Sequence, residues 1–153
     1  PRASAPAKRL EALRQLSEAG IPTTVMVAPV IPALNDSEIE RILDAAAHAG
    51  VKEASYVLLR LPLEVRDLFR EWLMANYPDR YRHVFTLIRD MRAGRDYDSQ
   101  WGTRMKGTGP MAWMIGRRFE IACEKLGLNK RRAKLTTEHF ARPKRSGQQL
   151  SLF

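Results

Sequence analysis

The sequence predicts an α/β fold in which helices alternate with parallel strands over the first 62 residues, followed by a helical region and a basic tail. Three observations lead to it. Segments with a 3.6-residue apolar period are separated by two short β-branched runs. Each change of period is marked by glycine or proline. The connections between segments are short, as expected of βα repetition with right-handed crossovers. At 153 residues and 44% hydrophobic content, the chain is long enough for one domain with a core, and its composition is globular.

The elements follow in order. "AKRLEALRQLSEAG" sets Leu10, Leu13 and Leu16 on one stripe and stops at Gly20, as an amphipathic helix does. "TTVMVAPVIP" is apolar without polar alternation, which predicts a strand buried on both faces of a parallel sheet and ended by Pro29 and Pro32. "NDSEIERILDAAAHAG" reads as a second helix, capped from Asn35, Asp36 or Ser37. Ser37 and Glu40 are spaced as a capping box, and Gly50 closes the segment. "VKEASYVLLRLP" supplies a second strand centred on "YVLLR". Three helical faces come next: Val65, Leu68, Phe69, Trp72 and Leu73; then Tyr81, Val84, Phe85, Ile88 and Met91; then Ala112, Ile115, Phe119, Ala122 and Leu126. Two buried strands need neighbours on both edges, so further strands are expected upstream of Pro1. The chain opens on proline, directly into a helical pattern, and reads as part of a longer protein.

The formal charge of +9 is uneven. Residues 128–153 hold seven Lys/Arg and one Asp/Glu, whereas residues 1–127 hold 19 and 16. A basic tail on a nearly balanced body suits a polyanionic partner such as DNA, or serves only as a solvated tail. No apolar run reaches the roughly 20 residues of a membrane span and no signal segment opens the chain, so a cytoplasmic protein without membrane partners is expected. Cys123 is the only cysteine, which excludes an intrachain disulfide or a cysteine-built cluster from this chain alone. Its place on an apolar helical face predicts a buried, inert thiol.

Between the last two helices lies "AGRDYDSQWGTRMKGTGP", a loop of a length that is usually functional or disordered. Arg104 and Lys106 stand among Gly102, Gly107 and Gly109, a pattern suited to gripping an anion, though without the Walker spacing. Tyr97, Trp101 and Trp113 either stack bases beside these cations or pack against the body. His48 sits at a helix end, where it complements the dipole, while His83 and His139 stand alone. No metal-ligand spacing and no nucleophile motif is present, and catalytic residues are not identified.

The stretch from "RLEALRQL" to "YVLLRLP" resembles the last third of a radical SAM barrel. The blocks "VMVAPVIPALND", "YVLLRLPLEVRDLFREWL" and "DYDSQWGTRMKGTG" resemble bacterial radical SAM proteins related to spore photoproduct lyase. The resemblance implies residues 1–78 as the C-terminal part of a partial (β/α) barrel, residues 79–127 as a helical extension with the Gly-rich loop, and residues 128–153 as a flexible basic tail. It further implies S-adenosylmethionine and a [4Fe-4S] cluster in the full-length protein. The three-cysteine loop that ligates such a cluster is missing from this chain. In a barrel of this kind ligands sit at the C-terminal strand ends. The resemblance therefore assigns Val30, Ile31, Pro32 and Leu59 to adenine binding, and Arg60 to a carboxylate or phosphate. The implied reaction is reductive cleavage of S-adenosylmethionine to a 5′-deoxyadenosyl radical, directed at DNA or used in its repair.

The last five residues, "QLSLF", are similar to the peptide by which bacterial polymerases and repair proteins bind the DNA sliding clamp. That likeness assigns Gln149, Leu150, Leu152 and Phe153 to partner binding, with docking of Leu152 and Phe153 onto the body as the alternative. Two functions are thereby expected: the C-terminal part of a radical SAM enzyme, or a non-catalytic nucleic-acid-binding adaptor recruited to the clamp.

Overall fold

The structure, a computed structural model, describes residues 3–130 and 136–142. In order these form α1 (Pro6–Glu18), β1 (Thr24–Val30), a 3-10 turn (Asp36–Glu38), α2 (Ile39–His48), β2 (Glu53–Leu58), α3 (Val65–Asn76), α4 (Tyr81–Asp90) and α5 (Gly109–Leu126). The α/β alternation and the three later helices lie where the periodicity puts them. The capping box does not form: α2 starts after the 3-10 turn, without a side-chain cap.

β1 and β2 pair in parallel, with Val25 opposite Ala54 and Val27 opposite Tyr56, and the register shifts between Val27 and Val30. Residues alternate across a strand, so these four share one face. That face carries the main core: Val27, Val30, Ala54, Tyr56 and Leu58 pack with Ile39 and Leu43 of α2 and with Ile115, Phe119 and Ala122 of α5. The Tyr56 and Phe119 ring centroids lie 4.7 Å apart. Each fully buried Leu or Ile here contributes at most about 1.5–3 kcal/mol. A second core joins Ile31 and Leu61, just past the strand ends, to Leu73, Val84, Phe85 and Ile88 of α3 and α4.

Two expectations are overturned. β1 is not buried on both faces, since Met26 is 61% exposed and Thr24, Ala28 and Pro29 are exposed as well. Nor is there a barrel or an arc of one: among the described residues the sheet has two strands, β1 and β2. The outer edge of β2 is closed by groups that stand in for a third strand. Asn129 accepts from the Ala54 amide through Oδ1 at 2.9 Å and donates to the Ala54 carbonyl through Nδ2 at 3.0 Å. The Asn129 amide donates to the Lys52 carbonyl at 2.9 Å, and farther along the Met105 carbonyl accepts from the Leu58 amide at 2.9 Å. A covered edge has few groups left to pair with another strand. Leu128, 4% exposed, and Asn129 are therefore part of the body rather than the start of the tail.

Arg118 of α5 ties the later helices to the earlier half. It forms two 2.8 Å bonds with the Glu40 carboxylate and reaches Asp36 at 3.2 Å. The guanidinium holds the Glu40 pKa below its ordinary value, so this bridge supports the fold above the normal carboxylate range and is lost as acid protonates Glu40.

α5 lies close on β2 because Gly116 has no side chain: a Cβ there would come 2.8 Å from the Tyr56 Oη. Gly116→Ala is expected to lose about 1–3 kcal/mol to this overlap, offset in part by about 1 kcal/mol of helix propensity. Adding Tyr56→Phe should recover the loss. Urea denaturation of both single variants and the double variant measures the coupling, and strict additivity would show that the contact relaxes without cost.

Candidate functional site

The C-terminal ends of β1 and β2, the segment 95–108 and the start of α5 make up the candidate site. The segment 95–108, expected as a functional or disordered loop, is built onto the body. Its organiser is Arg92, which is 2% exposed and follows α4. Arg92 donates to the Thr103 carbonyl and to the Leu59 carbonyl, each at 3.0 Å, bridging the loop to the end of β2. Burial pushes its pKa down, with Asp98 opposing that shift and Arg60 adding to it. Within the loop the Asp98 carboxylate accepts from the Thr103 hydroxyl at 2.6 Å and from the Gln100 amide at 2.9 Å, which lowers its pKa.

The loop presents its cations differently. The Arg104 guanidinium lies 3.9 Å from the Trp101 ring centroid, and Trp101 is 82% exposed. The Lys106 ammonium lies 3.4 Å from the Tyr56 ring centroid and 5.8 Å from that of Phe119, and desolvation lowers its pKa. Trp113, on the first turns of α5, is 72% exposed. Of the three aromatic residues singled out in the sequence, Trp101 and Trp113 thus face solvent, while Tyr97 is half-buried and accepts from Arg60 at 3.1 Å.

Arg60 makes that bond and a 3.9 Å contact with the Met105 sulfur, while its Nε is buried with no partner among the described residues. The residues assigned to adenine are brought together at the strand ends, where they are occupied by packing. Val30 lies in the main core, Ile31 and Leu59 belong to the second, and Pro32 is fully buried. Their backbone is occupied too. The Val30 carbonyl accepts from the Leu59 amide at 2.9 Å, and the Ile31 amide donates to Asn35 Oδ1 at 2.7 Å. Asn35 Nδ2 also donates to the Pro29 carbonyl at 3.0 Å.

At these strand ends the Val30 carbonyl and the Ile31 amide are thus paired within the chain, and what the residues offer a ligand is apolar side-chain surface rather than free backbone groups. Cys123 is buried, burial raises its pKa, and no group of three or more His, Cys, Asp or Glu side chains converges among the described residues. No step of radical chemistry is assigned to this chain. His48 bonds the Asp44 carbonyl at 2.9 Å on the exposed end of α2, which is a structural position. Gln149, Leu150, Leu152 and Phe153 lie outside the described residues. No helix among the described residues is long and apolar enough to cross a membrane.

Sequence reasoning missed Arg92 and Asn129, and read Asn35 only as a candidate helix cap rather than as the brace of the turn after β1. Arg92 had a detectable signal: it directly follows the apolar stripe ending at Met91, where a charge has little access to water. The two asparagines had none, since their partners are backbone atoms.

No known family model matches the chain, and neither does any solved structure. Uncharacterized proteins of Mycobacterium bovis and of two Mycobacterium tuberculosis strains are each 34% identical to it over 85 residues, which is 52% of this chain and 25% of theirs. The matched region thus spans a quarter of the length of these curated relatives, and the chain is similar to a segment of larger proteins.

Proposed function

We propose that this chain is the C-terminal, nucleic-acid-facing portion of a radical SAM enzyme that acts on DNA or in its repair, and that its last residues recruit it to the bacterial DNA sliding clamp. The observation that carries the nucleic-acid reading is the cation–aromatic pair at the loop tip. An exposed indole with a guanidinium 3.9 Å from its centre offers a base a stacking platform and a phosphate a nearby charge. Trp101 is 82% exposed, so the indole face is open to a base. The radical SAM reading rests on the sequence resemblance. S-adenosylmethionine and the [4Fe-4S] cluster would supply the radical chemistry, with Val30, Ile31, Pro32, Leu59 and Arg60 on one wall of the cofactor site and the cluster ligands elsewhere in the polypeptide.

A non-catalytic adaptor is the second reading, favoured by the internally paired strand ends. The coding sequence preceding Pro1 separates the two: a three-cysteine loop there supports the enzyme, and its absence supports the adaptor.

Titration of a fluorescently labelled single-stranded oligonucleotide tests the DNA contact. Trp101→Ala and Arg104→Ala are each expected to weaken binding by about tenfold, within the range for loss of one stacked base. Unchanged affinity in both would remove the loop tip from the interface.

A further inference from the structure

We infer that the open cavity of about 610 Å³ between β2, the residues Lys106–Gly109 and α5 is a single-nucleotide subsite, holding one phosphodiester and one unstacked base of single-stranded DNA. The inference rests on the nucleic-acid reading above and concerns a separate place, since neither Trp101 nor Arg104 lines this cavity.

Four features support it. The first is how Lys106 is held. Its ammonium is positioned by the Tyr56 and Phe119 rings and forms no salt bridge among the described residues. Ring faces fix a cation without accepting its N–H bonds in ordinary hydrogen-bond geometry, so the donors of Lys106 remain for an anion. The second is Trp113, whose exposed indole lines the same cavity and offers a stacking face. The third is the open wall. Gly107, Gly109 and Gly116 line the cavity with bare backbone, which lets a ligand approach closely. The fourth is charge. Of the lining residues, Lys106 and Arg117 are cationic and Glu120 is anionic, with Arg117 and Glu120 paired at 3.1 Å. The net charge of +1 matches the single charge of a phosphodiester better than the dianion of a terminal phosphate. The volume lies within the range of about 300–1,000 Å³ typical of small-ligand sites.

The test uses the 153-residue chain with labelled dT10 and with a decamer of abasic deoxyribose phosphate. Trp113→Ala should weaken dT10 binding by about tenfold and leave abasic binding unchanged, because the lost contact is a stacked base. Lys106→Gln should weaken both oligomers and lower the salt slope by about 0.7, the value for one phosphate contact on a single strand. Trp113 is exposed, so its replacement should leave the far-UV circular dichroism intact. If Trp113→Ala weakens both oligomers equally, or if neither variant changes dT10 binding while Trp101→Ala and Arg104→Ala do, the subsite is refuted and the nucleic-acid reading survives. Absence of dT10 binding by the unaltered chain refutes both.

Discussion

Replacing Leu152 and Phe153 together with alanine should abolish binding of the C-terminal peptide, residues 148–153, to purified bacterial sliding clamp. The reasoning is from side chains. Burying a leucine and a phenylalanine in an apolar pocket contributes at most about 1.5–3 kcal/mol each, so removing both costs roughly 3–6 kcal/mol before ordering losses. That is about two to four decades in affinity. Ordering an extended peptide costs free energy on binding, so the native contact should be on the order of micromolar, suited to recruitment rather than permanent assembly. Gln149 would fix the register by hydrogen bonding. Fluorescence anisotropy of the labelled peptide measures the effect. Binding should depend weakly on salt, because the anchors are apolar and residues 148–153 carry no Lys, Arg, Asp or Glu. Equal binding by native and doubly substituted peptides would show that Leu152 and Phe153 are not the anchors and end the proposal of clamp recruitment.

Arg92→Ala should destabilise the protein by about 3 kcal/mol and release the segment 95–108 before the body unfolds. Arg92 donates charge-assisted bonds to two carbonyls, Thr103 and Leu59, each of a kind worth about 1.5–3 kcal/mol. The cost of burying its charge disappears with it, which brings the net loss toward the lower end of the sum. Arg92→Lys should recover less than half of the loss, because an ammonium on a flexible stem does not reproduce two bonds made by a planar fork. Urea denaturation followed by circular dichroism gives the global effect. Limited trypsin digestion reads the loop, where cleavage after Arg95 or Arg104 should quicken in the variant under conditions in which the body stays folded. Stability within about 0.5 kcal/mol of the native protein, with unaltered cleavage, would mean that water satisfies both carbonyls and Arg92 does not organise the site.

These outcomes bear on how the parts depend on one another. Trp101 and Arg104 lie between Asp98 and Met105, and both ends of that segment are held by bonds to side chains or backbone: Asp98 to Thr103 and Met105 to Leu58. Under the proposed function, loosening the segment through Arg92 should thus weaken single-strand binding without altering Trp101 or Arg104.

The order of helices and strands and much of the core are legible in the sequence. A 3.6-residue period placed α4 and α5 and named Val84, Phe85, Ile88, Ile115 and Phe119, because a buried helical face must repeat with the turn of the helix. It likewise located both strands and the buried thiol of Cys123. The first helix shows the limit of that logic. The Leu10, Leu13 and Leu16 stripe is amphipathic, and α1 forms, yet it buries none of its residues. A period tells which face seeks cover, not whether cover is present.

What covers the sheet edge, which residues build the loop and where the cations point follow from three-dimensional packing instead. β2 is closed by Asn129, 75 residues away from Ala54, and by Met105, 47 residues from Leu58. The turn after β1 is held by Asn35, and the loop by Arg92. All are contacts to backbone atoms, and the backbone is the same at every position, so such bonds leave no pattern in the order of side chains. The same holds for Arg104 and Lys106. The sequence places them two residues apart in a glycine-rich loop, while one lies against an exposed indole and the other against the buried ring of Tyr56. That difference comes from the packing of α5 on β2, which brings Tyr56 and Phe119 beneath Lys106.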